Sequence, residues 1–247
     1  MHKLGLLGKN ISYSFSRKYF SDKFEKENIE GISYENFDIE DISLLQYILE
    51  NTEGLKGFNV TIPYKRSVIP YLNKLDRKAK AIGAVNTIRV TKKGRLIGYN
   101  TDCYGFIKSI EPNLKKYHKK ALILGTGGAS KAVIYALKKK HIKCHYVSRT
   151  ASKKIKYTYD DLNEDIISKY QIIINCTPLG TFPNVDNCPD IPYGAINNKH
   201  ILFDLIYNPS ETKFLRLGKE KGATIINGQN MLELQAEKAW SIWNLSK

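Results

Sequence analysis

Residues 125–130 read GTGGAS and directly follow the apolar run 121–124. Gly125 permits a tight turn there. Gly127 and Gly128 let backbone N–H groups approach a pyrophosphate at the start of the helix that follows, where the helix dipole favours anions. Thr126 and Ala129 belong to the same cradle, and Ser130 stands where the GxGxxG fingerprint carries its third glycine. After the next strand the chain reads Ser148-Arg149-Thr150, then Ser152, Lys153 and Lys154. A site for NAD puts a carboxylate at that place to take the ribose hydroxyls. A guanidinium with hydroxyls and lysines suits a 2′-phosphate instead, through charge and bidentate bonding, so NADP is the expected cofactor. A second polar set occupies four segments: Ser14 and Ser16, NVTIPYK at 59–65, GAVNT at 83–87 and GYNTD at 98–102.

These residues need elements to hold them. An apolar strand is expected at 2–7, then a helix at 16–28 with Tyr19, Phe20 and Phe24 on one face. A strand at 34–39, a helix at 42–49 and a strand at 55–62 follow. Pro63, lacking an N–H, suits the first turn of a helix. Residues 85–90 and 96–99 form a hairpin around Lys92-Lys93-Gly94. The alternation implies a mostly parallel, covered sheet. A second pattern begins near Asp102: strands at 121–124, 143–147, 171–175 and 201–205, with a helix at 131–140 after the glycine turn. The last helix, 231–243, is amphipathic through Leu232, Leu234, Ala239, Trp240 and Trp243. The fold class is α/β in two domains.

Composition narrows the function. The chain has 247 residues, 42% hydrophobic and 26% charged, enough to bury a core without staples. No apolar run reaches the ~18 residues of a membrane span, and the apolar start is too short for a signal peptide. Cys103, Cys144, Cys176 and Cys188 form no CxxC pair and have no clustered histidines, which argues against a metal site or a disulfide framework and for the reducing cytoplasm. The net charge of +15 is concentrated: residues 108–156 carry 14 Lys and Arg against Glu111 alone. Such a field attracts nucleic acid or a phosphorylated small molecule. Aromatic residues that stack on bases are sparse there, and lysine-coated helix faces account for much of the charge.

The ordered set NVTIPYK, GAVNT, NTD, GTGGAS, SRT, then NCTPLG at 175–180, DLIYNP at 204–209 and Met231-Leu232 with Gln235, resembles the shikimate dehydrogenase family along nearly the whole chain. The resemblance implies reversible reduction of 3-dehydroshikimate to shikimate by NADPH, on the route to chorismate and the aromatic amino acids. It implies a catalytic pair, Lys65 and Asp102. A ring alkoxide developing during hydride transfer needs a proton, and Lys65 is a donor that also stabilises negative charge. Asp102 bonds the same hydroxyl and holds Lys65 by charge, and such a pair titrates as a unit. By the same resemblance Ser14 and Ser16 bind the ring carboxylate, Thr61, Asn86 and Gln235 bind hydroxyls, and Tyr207 is the substrate tyrosine. Thr177, Leu205 and Gly228 join the cofactor set of Gly125, Thr126, Gly127, Gly128, Ala129, Ser148, Arg149, Thr150 and Lys153. Two departures stand out. Arg17 replaces the family's proline after the second serine, and Ser148 stands where the family has asparagine before Arg-Thr.

The resemblance also implies the organisation: a substrate domain of 1–101 completed by 228–247, a Rossmann-like NADP domain of 102–227, and an active site in the cleft between them. The expected protein is a cytoplasmic monomer or homodimer with a small-molecule substrate, no metal, no membrane and no nucleic acid. The competing readings are an NAD-dependent quinate/shikimate dehydrogenase, against which the missing acid after the second strand argues, and a basic nucleic-acid-binding protein.

Overall fold

The structure, a computed structural model, describes residues 1–12, 15–153 and 155–244. The chain divides into two compact units, Met1–Thr101 with the stretch from Ala236 onward, and Asp102–Gln235.

The first unit contains β1 (His2–Gly8), α1 (Phe15–Lys26), β2 (Ile32–Asp38), α2 (Leu45–Asn51), β3 (Leu55–Val60), β4 (Lys74–Leu75), α3 (Arg77–Ile82), β5 (Thr87–Val90) and β6 (Leu96–Tyr99). They form one sheet in the order β2-β1-β3-β5-β6-β4. As expected the sheet is mostly parallel, with an antiparallel part at β5. β1 is parallel to β2 and β3, and β4 to β6, but β3–β5 and β5–β6 are antiparallel. The link between β5 and β6 is too short for a crossover, and Gly94 turns it at φ +72. Alternation along β1 sends Leu4 and Leu6 to one face and Leu7 to the other. Leu7 joins Phe58, Val60 and Ile88 beneath Leu45 and Ile48 of α2. Leu4 and Leu6 pack with Phe20 and Phe24 of α1 and with Ala236, Ala239 and Trp243.

The helix expected to start at Pro63 does not form. Residues 62–68 are a succession of turns. The Lys65 carbonyl accepts from Val85 N at 2.7 Å, which takes it out of any helical ladder. The buried Tyr64 anchors the turn by donating to Ile39 O at 2.7 Å. Lys65 is thus presented from a pinned turn.

The second unit contains α4 (Asp102–Ile110), β7 (Lys120–Leu124), α5 (Gly128–Lys139), β8 (Lys143–Ser148), β9 (Tyr157–Thr158), α6 (Glu164–Ser168), β10 (Ile172–Asn175), β11 (Ile201–Asp204), α7 (Lys213–Glu220) and β12 (Thr224–Ile226), and it leads into α8 (Gln229–Trp243). All pairings in its sheet are parallel, in the order β12-β11-β10-β7-β8-β9. Counted within the unit, this is the doubly wound dinucleotide-binding order read from the opposite edge, and its switch point lies between β7 and β10. The expected return to the first domain at 228 differs from the observed division, since residues 228–235 group with the second unit. Gly228 N donates to Ile206 O at 2.9 Å, tying the start of α8 to the segment after β11.

Candidate active site

In the first unit the polar residues meet at one end of the sheet. Pairing of Asn59 with Thr87 and of Thr87 with Tyr99 brings the end of β3, the start of β5 and the end of β6 side by side. Asn86 and Thr101 are buried there, and buried amides need partners. Asn86 Nδ2 donates to Thr101 Oγ1 at 3.0 Å, and its Oδ1 accepts from Thr101 N at 2.7 Å. Thr101 therefore fixes which way the Asn86 amide faces. Thr87 Oγ1 lies 3.2 Å from Thr101 Oγ1, and Asn59 Nδ2 donates to Thr87 Oγ1 and Asn86 O, each at 3.4 Å. Tyr34 donates to Asn59 Oδ1 at 2.7 Å. Ser16, the buried second residue of α1, hydrogen-bonds the same Tyr34 phenol. Ser14 lies outside the described residues. Thr61 follows β3, its N–H bonded to Leu7 O at 2.9 Å, and Lys65 is half-buried in the next turn. Ser16, Thr61, Asn86 and the Lys65 turn thus belong to one unit, and Ser16 and Asn86 to one buried polar network. Sequence reasoning assigned no role to Tyr34, Asn59, Thr87 or Thr101, although three of these stand inside the quoted motifs.

Asp102 opens α4 and is buried. Gln235, on α8, is buried too, and its Nε2 donates to Leu232 O at 2.9 Å. Gly105 of α4 makes room for it, since a Cβ there would stand 3.1 Å from that of Gln235.

The glycine turn sits where β7 meets α5. Gly125 has φ +97, and a Cβ on it would come within 2.9 Å of the Thr177 methyl, so the turn lies closely against the segment after β10. Gly127 is the N-cap of α5 and offers no side-chain acceptor, and the first turn, with Gly128 and Ala129, holds no acidic residue. A Cβ built on Gly127 meets nothing within 4 Å. Ser130 is turned inward, donating to Gly127 O at 2.7 Å. Open space before an uncapped helix N-terminus fits a pyrophosphate. Thr126 is exposed beside it, and Arg149, Thr150 and Lys153 are exposed beyond the end of β8, where Ser148 is half-buried. The expected 2′-phosphate position therefore carries positive charge and no carboxylate.

β10 and β11 end on Asn175 and Asp204, both fully buried. Asn175 Oδ1 accepts from Thr177 N and Oγ1 at 3.0 and 2.6 Å. Asp204 accepts from Asn175 Nδ2, Ile206 N and Thr212 Oγ1, and burial pushes its carboxyl up to about 6. Leu205 is half-buried, and a Cβ on Gly228 would stand 2.2 Å from its carbonyl oxygen, so close approach of two backbones by itself requires glycine at 228. Tyr207 is 37% exposed, and partial burial raises its phenol.

Among the described residues no three His, Cys, Asp or Glu are grouped to hold a metal, and no helix is long and apolar enough to cross a membrane.

Residues 6–88 match the family model of the shikimate dehydrogenase substrate binding domain. An NADP(+) shikimate dehydrogenase of Clostridium botulinum is 40% identical, over 100% of this chain and 98% of its own. The crystal structure of shikimate dehydrogenase 1 from Peptoclostridium difficile is 39% identical and superposes with a TM-score of 0.83, covering 100% of this chain and 93% of that one. The Thermus thermophilus shikimate 5-dehydrogenase in complex with NADP(H) and shikimate is 28% identical with a TM-score of 0.86, covering 99% and 94%. With the motifs, the two sheets and a relative of that identity along its full length, this chain belongs to the shikimate dehydrogenase family.

Proposed function

We propose that this chain is an NADP-dependent shikimate dehydrogenase, reducing 3-dehydroshikimate reversibly to shikimate on the route to chorismate and the aromatic amino acids. The observation that carries the reading is the crevice of the second sheet. Its switch point presents an open, uncapped helix N-terminus, and an exposed Arg149 stands where an NAD site has an acid.

When bound, NADPH supplies the hydride. Lys65 donates the proton that the forming alkoxide requires, and its charge stabilises that oxygen before the proton moves. Asp102 accepts a hydrogen bond from the same hydroxyl and orients the ammonium. In the reverse direction the pair takes the proton back. Ser14 and Ser16 hold the ring carboxylate, and Thr61, Asn86, Gln235 and Tyr207 orient the ring. Because Thr101 fixes the Asn86 amide, that side chain meets the substrate with its donor and acceptor already sorted. The first unit is the substrate domain and the second the cofactor domain. All four cysteines are free, which supports a reducing compartment such as the cytoplasm.

The test is a double-mutant cycle in shikimate oxidation. Lys65→Ala should lower kcat by ~10²-fold or more with a smaller effect on shikimate KM. Asp102→Asn should be severely impaired, and the double variant far less than multiplicative, because both groups act on one hydroxyl. Multiplicative losses would show independent action and remove the dyad.

A further inference from the structure

Asp204 takes no part in the proton step, yet it accepts three hydrogen bonds in the interior of the second unit. It is fully buried at the end of β11. Its Oδ1 accepts from Asn175 Nδ2 at 3.1 Å and from Ile206 N at 3.0 Å, and its Oδ2 accepts from Thr212 Oγ1 at 2.7 Å. An ionised carboxylate is an acceptor only, so every donor points inward to it. Each donor leads somewhere different. Asn175 grips Thr177 by two hydrogen bonds, and its Nδ2 also reaches Leu179 O at 3.3 Å. Ile206 immediately precedes Tyr207, and its carbonyl accepts from Gly228 N. Thr212 caps α7 through Leu215 N.

We propose that Asp204 is a positioning residue of the cofactor crevice: it locks Asn175, and through it Thr177, in register with the backbone of residues 205–207. The segments after β10 and β11 then present one fixed surface to the dinucleotide. The inference rests on the NADP reading above. A buried carboxylate is a costly way to fill this space, and burial opposes its charge. A hydroxyl or an aliphatic side chain would serve packing alone. What neither supplies is acceptors for three donors arriving from two segments and a helix cap. The competing account makes Asp204 merely an anchor for α7 through Thr212.

Four variants, read by the KM for NADP, the melting temperature and amide exchange, separate these accounts. Asp204→Ala should raise the KM for NADP about tenfold, the worth of one hydrogen bond of ~1.4 kcal/mol, while kcat falls less. Asp204→Asn keeps an oxygen for Asn175 and Ile206 and can donate to Thr212, so it should restore most of the NADP affinity. Thr212→Val should lower the melting temperature and leave the KM for NADP unchanged. If Asp204→Ala fails to fold, Asn175→Ala asks the same question from the other side of the bond. An unchanged KM for NADP in the folded Ala variants, or a rise in Thr212→Val equal to theirs, would overturn the proposal. Amide hydrogen exchange reads the lock without activity. Thr177 and Leu179 should exchange about tenfold faster in both Ala variants, and Ile206 in Asp204→Ala, with the β7 core unaffected, and unchanged rates there would also overturn it. A wild-type protein that fails to oxidise shikimate with NADP would refute the functional reading, while the exchange rates would still decide the role of Asp204.

Discussion

The same carboxylate carries a stability prediction whose sign runs against the usual behaviour of acids. Asp204 has a folded pKa of about 6 against an ordinary 3.8, because burial disfavours its charge more than its three donors favour it. The folded state therefore binds the proton more tightly than the unfolded chain. Its contribution to stability is fully present below the ordinary value and is lost as pH rises through about 6. A shift of about two units corresponds to roughly 3 kcal/mol, given up between about pH 4 and pH 7. Carboxylates with hydrogen-bond partners nearer the surface, such as Asp161 beside Thr158 and Glu111 beside Lys140, are shifted the other way, so the total pH curve mixes both signs. Comparison with Asp204→Asn isolates the buried group, since asparagine does not titrate. Calorimetric melts of the two proteins from pH 4 to 7 should show the variant gaining on the wild type by about 3 kcal/mol as pH rises. A stability gap constant over that range would mean that Asp204 ionises like an exposed carboxylate, and the burial argument would be wrong.

Three further outcomes are expected. Arg149→Ala should weaken NADP by roughly 1.5–3 kcal/mol, the range for a hydrogen bond to a charged group, and leave NAD nearly unchanged in binding titrations; equal losses would make Arg149 structural. Gly228→Ala should destabilise the protein by about 1–3 kcal/mol in thermal melts, because its Cβ would sit 2.2 Å from the Leu205 carbonyl oxygen, a backbone atom with little freedom to retreat; an unchanged melting temperature would contradict the close approach. Gln235→Ala should fold normally and raise the shikimate KM about tenfold, and an unchanged KM would remove Gln235 from the site.

What could be read from the sequence is what chemistry imposes locally. The glycine turn is legible because a phosphate cradle needs small residues just before a helix. The strands at β7, β10 and β11 are legible because a sheet covered on both faces demands short apolar runs. The hairpin of β5 and β6 shows in its Lys-Lys-Gly turn. Other features are long-range. Asn59 finds Thr87, Asn86 finds Thr101, and Asp204 finds Asn175 across the fold, so no spacing reveals those bonds. The turn at 62–68 is decided by Val85 reaching the Lys65 carbonyl, which local propensity at Pro63 does not register. The antiparallel part of the first sheet follows from the short β5–β6 link, a local constraint within a sheet that the alternation of elements makes mostly parallel. α3 carries local signals at both ends: Asp76 caps its start, accepting from Ala79 N at 2.7 Å, and Gly83 ends it at φ +70. Part of the basic segment is absorbed structurally, since Lys108 and Lys140 pair with Glu111, and Lys138 and Lys139 lie in the last turn of α5, where cations suit the dipole.

The most direct test of the central claim is a set of initial rates on the purified protein with shikimate and with quinate, each with NADP and with NAD. The account predicts turnover that is highest for shikimate with NADP and falls sharply when NAD replaces NADP, because Arg149 and its neighbours offer the ribose a cation and no carboxylate. Equal or faster rates with NAD, or a preference for quinate, would contradict it.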